Sequence, residues 1–286
     1  MFCSRKFATA VFVLGSLLSV PALAQPNVDS DGFNRDSHFS GPYLTVFGGV
    51  SIPKSGNSDT IVFDRNTDGT FGDTVVTSLG DNAFSPGFCS GSFATSAAGN
   101  CRDDPMRAEY GARIGYDSRM GNVVLGGLLE VNKSNSARST SAFSITPAAY
   151  QITSKLDYGI SARARVGLTP MGGALFYVTG GGSYAKIDHA FSTTNTTNTF
   201  TPNNEGKMIW GWQAGGGAEI MLTDHVSLGL EYLYSRYNDN KYYVNVSQGT
   251  AAATNPFVLN GGTTNLRSSD SRFDTHALRA TLGFQF

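Results

Sequence analysis

Seven charged residues occur on the polar faces of segments in which polar and apolar residues alternate. They share these faces with small residues, opposite rows of aliphatic and aromatic side chains. They are Arg113, Glu130, Arg163, Arg165, Glu219, Glu231 and Arg279. An unpaired charge in a confined space is costly, so four arginines beside three glutamates predict a network of ion pairs. Asp157 is a candidate for a fourth acid in this network.

An acidic segment is a second candidate for chemistry. From Asp64 to Asp73, oxygen-bearing side chains recur at alternating positions and Gly69 holds the sixth position, as in the first half of a calcium-binding loop. The twelfth position is Val75 rather than the expected glutamate, although Asp73 offers a substitute carboxylate. A polar turn on a surface loop is the alternative interpretation.

Pairs of a nucleophile and a base are scarce in this sequence. His225 and Ser227 faintly resemble the histidine and serine of barrel lipid-A esterases, but no acid lies convincingly near them. His38, His189 and His276 have no partner at the spacing of a catalytic triad or a metal site. We therefore expect no enzymatic activity, no cofactor and no bound metal.

Two cysteines lie in a stretch rich in Gly, Ser, Ala and Asn. Cys89 and Cys101 have neither a CxxC motif nor a histidine nearby, so a metal site is the weaker interpretation. An oxidising compartment outside the cytoplasm would favour a disulfide between them.

The N-terminus carries an export signal. A short basic segment precedes an uncharged apolar stretch, and the Ala-Leu-Ala that follows predicts cleavage between Ala24 and Gln25. The alternative is a membrane anchor, but the apolar stretch is shorter than the roughly 20 residues of a spanning helix. Residues 1–24 are thus predicted to be a signal peptide, and residues 25–40 a short periplasmic arm.

From residue 41 onward, hydrophobic residues recur at every second position, as in strands with one apolar face. In the clearest case, Leu156, Tyr158 and Ile160 begin an apolar row opposite small and charged residues. Two of the predicted strands, 43–52 and 175–187, have a less regular phase. The others cover 108–116, 123–131, 156–168, 210–222, 226–234 and 276–286. Strands of about 9 to 15 residues can cross a bilayer when tilted.

The gaps between these strands alternate between long and short. Long gaps lie near 53–107, 133–151, 189–207 and 238–271, and they are rich in Thr, Ser, Asn and Gly, which suits solvated loops. Short turns at one end, long outer loops at the other and an even number of strands are typical of outer-membrane barrels. Both termini would then lie in the periplasm.

A soluble barrel such as a lipocalin would show the same alternation with its apolar face inward. Two observations indicate instead that the apolar face points outward, toward lipid. The charged faces also hold most of the strand glycines and serines in several strands, which suits a lumen barely wide enough for side chains. The apolar faces end in aromatic residues such as Trp210, Trp212 and Phe284, and such rings favour membrane interfaces.

The net charge of -1 gives no reason to expect a nucleic-acid partner.

The C-terminal strand THALRATLGFQF resembles the signal read by the outer-membrane insertion machinery, with Phe286 at its end. The strand pairs EYGARIGYDSRMGNVVLGGLLEV and LDYGISARARVGL are similar to those of porin-like, opacity-type surface antigens, especially the outer-membrane immunogenic family. This resemblance implies an all-β fold, a transmembrane eight-stranded antiparallel up-and-down barrel over residues 41–286. The membrane domain of OmpA-type proteins has the same architecture.

The expected protein is an integral component of the bacterial cell outer membrane, mainly structural, with exposed loops and a lumen filled by ion pairs. Two alternatives stay open. One is a narrow porin-like channel for small solutes, and the other is an adhesin or surface antigen that acts through its outer loops. Expected partners are outer-membrane lipid, lipopolysaccharide, the barrel-insertion machinery and a host or environmental ligand on the loops. The barrel is expected to be monomeric.

Overall fold

A computed structural model describes residues 38–54, 59–99, 101–170, 173–259 and 262–286. The predicted signal peptide, its cleavage site at Ala24 and Gln25, and most of the predicted arm lie outside the described residues. Within the described ranges, no helix is long and apolar enough to span a membrane.

The alternating sequence pattern produces sixteen β-strands in this part of the chain. The first eight are β1 (Gly41–Pro53), β2 (Ile61–Asp64), β3 (Gly87–Ser90), β4 (Ser92–Phe93), β5 (Cys101–Arg102), β6 (Arg107–Met120), β7 (Val123–Ser134) and β8 (Ala137–Ser144). The remaining eight are β9 (Ala148–Leu168), β10 (Ala174–Thr193), β11 (Thr199–Asn203), β12 (Gly206–Met221), β13 (Val226–Asn238), β14 (Tyr243–Ser247), β15 (Thr263–Ser268) and β16 (Arg272–Gln285).

Eight long strands close into an antiparallel barrel. The hydrogen-bonded order is β1, β6, β7, β9, β10, β12, β13 and β16, and β16 returns to pair with β1. Successive long strands are neighbours in the sheet, so the topology is up-and-down. The predicted eight-stranded antiparallel barrel is confirmed.

Apolar side chains of the barrel strands point outward and polar ones point inward. On β13, Leu228 and Leu230 are 44% and 61% exposed, whereas Glu231 is fully buried. A broad exposed apolar band around a polar interior is the reverse of a soluble protein and is typical of a barrel surrounded by lipid.

Exposed aromatic residues lie at both ends of this apolar band. Near the short turns they are Tyr116, Phe176, Phe284 and the C-terminal Phe286, and near the other end they are Tyr110, Tyr158, Trp210, Trp212 and Tyr232. Two such girdles mark the two membrane–water interfaces of outer-membrane barrels.

One residue of the apolar row predicted on β9 faces inward. Leu156 is only 4% exposed, whereas Tyr158 is 42% exposed. The register against β10 gives the reason, because Ala185 pairs with Gly159. Two residues further along, Ile187 pairs with Leu156, so β9 contains one extra residue at a β-bulge. The prediction that Leu156 shares a face with Tyr158 is therefore wrong.

The long connections build a cap at the end of the barrel opposite the short turns. Four of their strands form a second sheet in the order β11, β14, β15 and β2, while β8 and β3 extend the barrel sheet beyond β9. A disulfide joins Cys89 to Cys101 in the first connection, as predicted. The cap has an apolar core that includes Phe63, Tyr150 and Leu266. These connections thus form a packed structure as well as a solvated surface.

Candidate functional site

Side chains from six strands of the barrel wall bring nine charged groups together in its interior. The seven residues singled out in the sequence all lie here, accompanied by two further acids. The nine are Glu109, Arg113, Asp117, Glu130, Arg163, Arg165, Glu219, Glu231 and Arg279, and each is at most 6% exposed.

Glu231 on β13 is the centre of the larger of two groups. Arg113 binds it through two bonds, Nη1 to Oε2 at 2.7 Å and Nη2 to Oε1 at 3.1 Å. The Nη1 atoms of Arg279 and Arg163 lie 3.3 and 3.6 Å from Oε1. The Tyr177 hydroxyl donates to Oε2 at 2.9 Å. Bidentate, charge-assisted bonds of this kind are among the strongest in proteins.

Glu130 on β7 reaches the same arginines from the opposite wall of the barrel. It accepts hydrogen bonds from Nη1 of Arg279 at 2.9 Å and from Nη2 of Arg163. The Nε atom of Arg113 lies 3.5 Å from Oε2. Arg279 also binds Glu109 through Nη2. Three guanidinium groups thus face three carboxylates, so the larger group has no net charge.

The smaller group lies nearer the short turns. Nη1 of Arg165 donates to Glu219 at 2.8 Å, and its Nη2 and Nε atoms bind Asp117. The guanidinium lies 4.8 Å from the ring centre of Tyr43 and 4.9 Å from that of Tyr177. One guanidinium group thus lies between two carboxyl groups.

The sequence pattern identified only part of this arrangement. Glu109 lies an even number of residues from Arg113, so the alternation places both on the inward face. Asp117 falls in the short gap between the predicted strands 108–116 and 123–131. The strand β6 continues to Met120, which places Asp117 on its inward face. Asp157 does not join the interior groups. It pairs instead with Lys133, because it lies beside the β-bulge where the alternation reverses.

The interior is closed near the short turns by the end of the predicted arm. Phe39 is 1% exposed and packs against Val124, Leu175 and Tyr177. Its backbone adopts a left-handed conformation, with φ of 59°, and its N–H donates to the Gln285 side chain at 3.2 Å. An aromatic ring thus fills this end of the lumen.

The acidic loop uses its carboxylates to hold its own backbone. Asp64 accepts hydrogen bonds from the backbone N–H groups of Asp68 and Gly69, both at 3.1 Å. Asp73 accepts from the backbone N–H of Arg65 at 2.8 Å. Among the described residues, no group of three or more His, Cys, Asp or Glu side chains could hold a metal ion. These bonds agree with the polar-turn interpretation.

His225 lies at the turn between β12 and β13. Its Nδ1 atom is 3.0 Å from the backbone carbonyl oxygen of Gln285, and its ring stacks on Phe284. These contacts hold the ring against the last strand.

The sequence matches the family described as outer membrane protein beta-barrel domain over residues 10–286. It is 30% identical over 126 residues to the 31 kDa outer-membrane immunogenic protein of Brucella melitensis, covering 44% of this chain. The match spans only 52% of that relative, about half its length. The sequence is also 26% identical over 196 residues to the 25 kDa outer-membrane immunogenic protein of Brucella abortus, and this match covers 67% of this chain and 71% of that relative.

Two solved structures of outer-membrane proteins align with this chain. The outer membrane protein OprG from Pseudomonas aeruginosa aligns with a TM-score of 0.47 and 13% identity, over 87% of this chain and 98% of its own. Neisserial surface protein A aligns with a TM-score of 0.34 and 12% identity, over 86% and 98%. The family match, which extends over nearly the whole sequence, agrees with the closed barrel and its exposed apolar band. The chain therefore belongs to the outer membrane protein beta-barrel family and is a protein of the bacterial outer membrane.

Proposed function

We propose that this protein is a surface barrel that does not conduct, whose charged interior is a structural core. The observation that carries this proposal is the burial of arginines that bridge opposite walls of the barrel. Arg113 is 2% exposed and Arg279 is 1% exposed, although both lie where an open pore would hold water. An eight-stranded barrel is only wide enough for its side chains to fill. Its role is then to anchor the cap in the membrane.

A conductance measurement tests this proposal. We expect the refolded protein to pass no steady current in planar bilayers at high salt. Arg163→Ala removes a guanidinium that lies between Glu130 and Glu231, so we expect frequent openings from this variant. Arg102→Ala changes an exposed arginine in the first connection and serves as the control, which should stay silent. Steady current steps from the unmodified protein would contradict the proposal and support a narrow channel.

A second role, as a surface antigen or adhesin, is favoured by the packed cap. The relatives in Brucella are named outer-membrane immunogenic proteins. Long connections of outer-membrane barrels face the cell exterior, so the cap would be the exposed part. Leu79, which is 88% exposed, lies on its surface.

Labelling of single cysteines on intact cells checks this orientation. Ser78→Cys in the cap should react with a membrane-impermeant maleimide, whereas Thr223→Cys at a short turn should react only after permeabilisation. The reverse pattern would exclude the cap as a surface antigen or adhesin. With the expected pattern, loss of antibody or host-surface binding on loop deletion would identify such a role.

The proposal extends to the partners of the barrel. The closed ring leaves no barrel strand unpaired, which supports a monomer surrounded by lipid and lipopolysaccharide. The barrel-insertion machinery would read the last strand, β16, together with Phe286, which directly follows it.

A further inference from the structure

A row of charged residues crosses three neighbouring barrel strands near the cap, on the outer face of the wall. Arg236 on β13 pairs with Asp274 on β16, and the backbone N–H of Lys54, directly after β1, donates to the Asp274 carbonyl at 2.9 Å. The register of these strands contains no shift, so the row continues the outward face of Leu278, which is 50% exposed. The row therefore lies on the side of the wall that faces lipid.

A second row, largely aromatic, lies one step nearer the middle of the apolar band. Tyr234 pairs with His276, which in turn pairs with Ile52 on β1. Trp212 packs against Tyr234 with 5.3 Å between the ring centres. Such rings settle at the boundary between acyl chains and headgroups. Arg236 is two residues further along β13, roughly 7 Å on an extended strand, which is the level of the headgroups.

The charged row forms one wall of a polar pocket with a volume of about 360 Å³. Beyond the row, this pocket is lined by Asp59, Ser269, Asp270 and Arg272. The pocket thus contains three cations and three acids, all supplied by the barrel strands and by the connections that reach β1 and β16.

Both arginines of the pocket keep N–H groups that no carboxylate of the described residues binds. Asp274 accepts from Nε and Nη2 of Arg236 at 2.9 and 2.7 Å, so Nη1 remains. Arg272 binds Asp270 only through Nε, at 3.2 Å. Asp270 is shared with Arg138, whose Nη1 donates to it at 3.1 Å. Each pocket arginine can therefore donate to a ligand without giving up its acid.

The solvent-facing part of the pocket is mainly cationic. Asp59 and Asp274 are only 7% and 6% exposed. The Arg236 and Arg272 side chains are 30% and 55% exposed. Lys54 is exposed as well and has no ion-pair partner among the described residues. Three accessible cations around one small pocket suit an anion with several oxygen atoms, such as a phosphate.

The two ends of the barrel differ in their outward-facing charge. Outside the pocket, the outward lysines of the described barrel strands are Lys133, Lys155 and Lys186, and they too lie near the cap. There Lys133 and Lys186 pair with Asp157 and Asp188. Near the short turns, the outward positions of these strands hold no lysine or arginine. This asymmetry suits a membrane whose phosphate-rich leaflet lies on the cap side.

We propose that this pocket binds a phosphate of an outer-leaflet glycolipid, namely lipopolysaccharide. Lys54, Arg236 and Arg272 hold the phosphate, and the ring of Tyr234 contacts the start of an acyl chain below it. The position of the pocket directly beyond the lipid-facing aromatic row favours a lipid over a soluble phosphate. This inference rests on the proposed outward orientation of the cap, which the cysteine labelling tests separately.

The two tryptophans of the chain provide the assay. Trp210→Phe leaves Trp212, which pairs with Arg236 across β12 and β13, as the single fluorescent reporter. Titration of this refolded variant with purified lipid A in detergent micelles should give a saturable change in emission. Adding Lys54→Gln and Arg272→Gln should weaken the apparent affinity by about 10- to 100-fold, because two charge-assisted contacts are lost.

Matched controls separate this site from general attraction to lipid. Arg102→Gln with Lys241→Gln removes one exposed arginine and one exposed lysine outside the pocket and should leave the affinity unchanged. Dephosphorylated lipid A should bind the unmodified pocket as weakly as lipid A binds the double pocket variant. Heat-dependent gel mobility confirms that each variant is folded.

Two results would overturn the proposal. One is equal affinity of the pocket variant and the control variant for lipid A. The other is competition by inorganic phosphate at the concentrations at which lipid A binds, which would indicate an anion site without lipid recognition. Neither result would alter the expected absence of conductance, so failure of this inference is distinguishable from failure of the proposed function.

Discussion

Glu231→Gln is expected to lower the free energy of unfolding of the barrel by about 3–5 kcal/mol, the typical cost of removing one partner from a buried ion pair. The variant keeps the shape of the side chain and loses its charge. Arg113, Arg163 and Arg279 would then face two carboxylates instead of three. The lumen offers little water to compensate the surplus positive charge, because these side chains are almost fully buried.

Glu219→Gln is the matched control for this experiment. It makes the same chemical change in the same lumen, but Arg165 keeps Asp117 as a partner. We expect a change of less than about 1 kcal/mol, the scale of one ordinary hydrogen bond. Urea unfolding of refolded protein in lipid vesicles, followed by tryptophan fluorescence, measures both values. Equal destabilisation by the two variants would show that charge balance does not govern the stability of the core.

Leu230→Arg is expected to destabilise the barrel in vesicles by about 2–4 kcal/mol, the cost of a cation facing the middle of a bilayer. Leu230 is 61% exposed and lies near the middle of the outward face of β13. In water, an arginine at such an exposed position would cost almost nothing. The size of the effect therefore reports which solvent contacts this face.

Leu79→Arg provides the comparison, since the same substitution is made at a leucine that is 88% exposed in the cap. Its effect on the free energy of unfolding should be within about 0.5 kcal/mol of zero. If Leu230→Arg were equally neutral in vesicles, the apolar band would not lie against lipid.

The eight barrel strands are predictable from sequence because successive residues of each strand face two different environments. Lipid outside and packed polar side chains inside impose a strict period of two, and this period needs no knowledge of tertiary contacts. The same reasoning fails at Leu156 and Asp157, where a β-bulge shifts the phase by one residue. Nothing in the local sequence marks that insertion, since Leu156, Tyr158 and Ile160 fit an uninterrupted alternation.

The cap is not predictable in this way, because its contacts join distant segments. Phe84, Tyr150, Phe200 and Phe257 come from four different long connections. The ring centres of Phe84 and Tyr150 are 5.4 Å apart, and those of Phe84 and Phe257 are 5.8 Å apart. Each connection contains only a few such residues among many Thr, Ser and Asn, so a composition typical of solvated loops hides a shared core.

The interior groups fall between these two cases. The alternation assigns Arg113 and Glu231 to the same side of the sheet, but the partners of each arginine depend on the stagger of strands across the lumen. Glu130 and Glu231 come from opposite walls and share three arginines. Such sharing follows from barrel geometry, which the pattern along one strand does not contain.

The pairing of β1 with β16 fixes the order in which the molecule can be completed. The first barrel strand to leave the ribosome has the last one as its partner, from Tyr43 opposite Gln285 to Pro53 opposite Thr275. A sheet that formed before β16 was available would have two open edges, at β1 and at the newest strand, and each could recruit a foreign strand. A chain stalled before residue 272 is therefore a template for aggregation, and the cell must keep it unpaired in transit until the final seam closes.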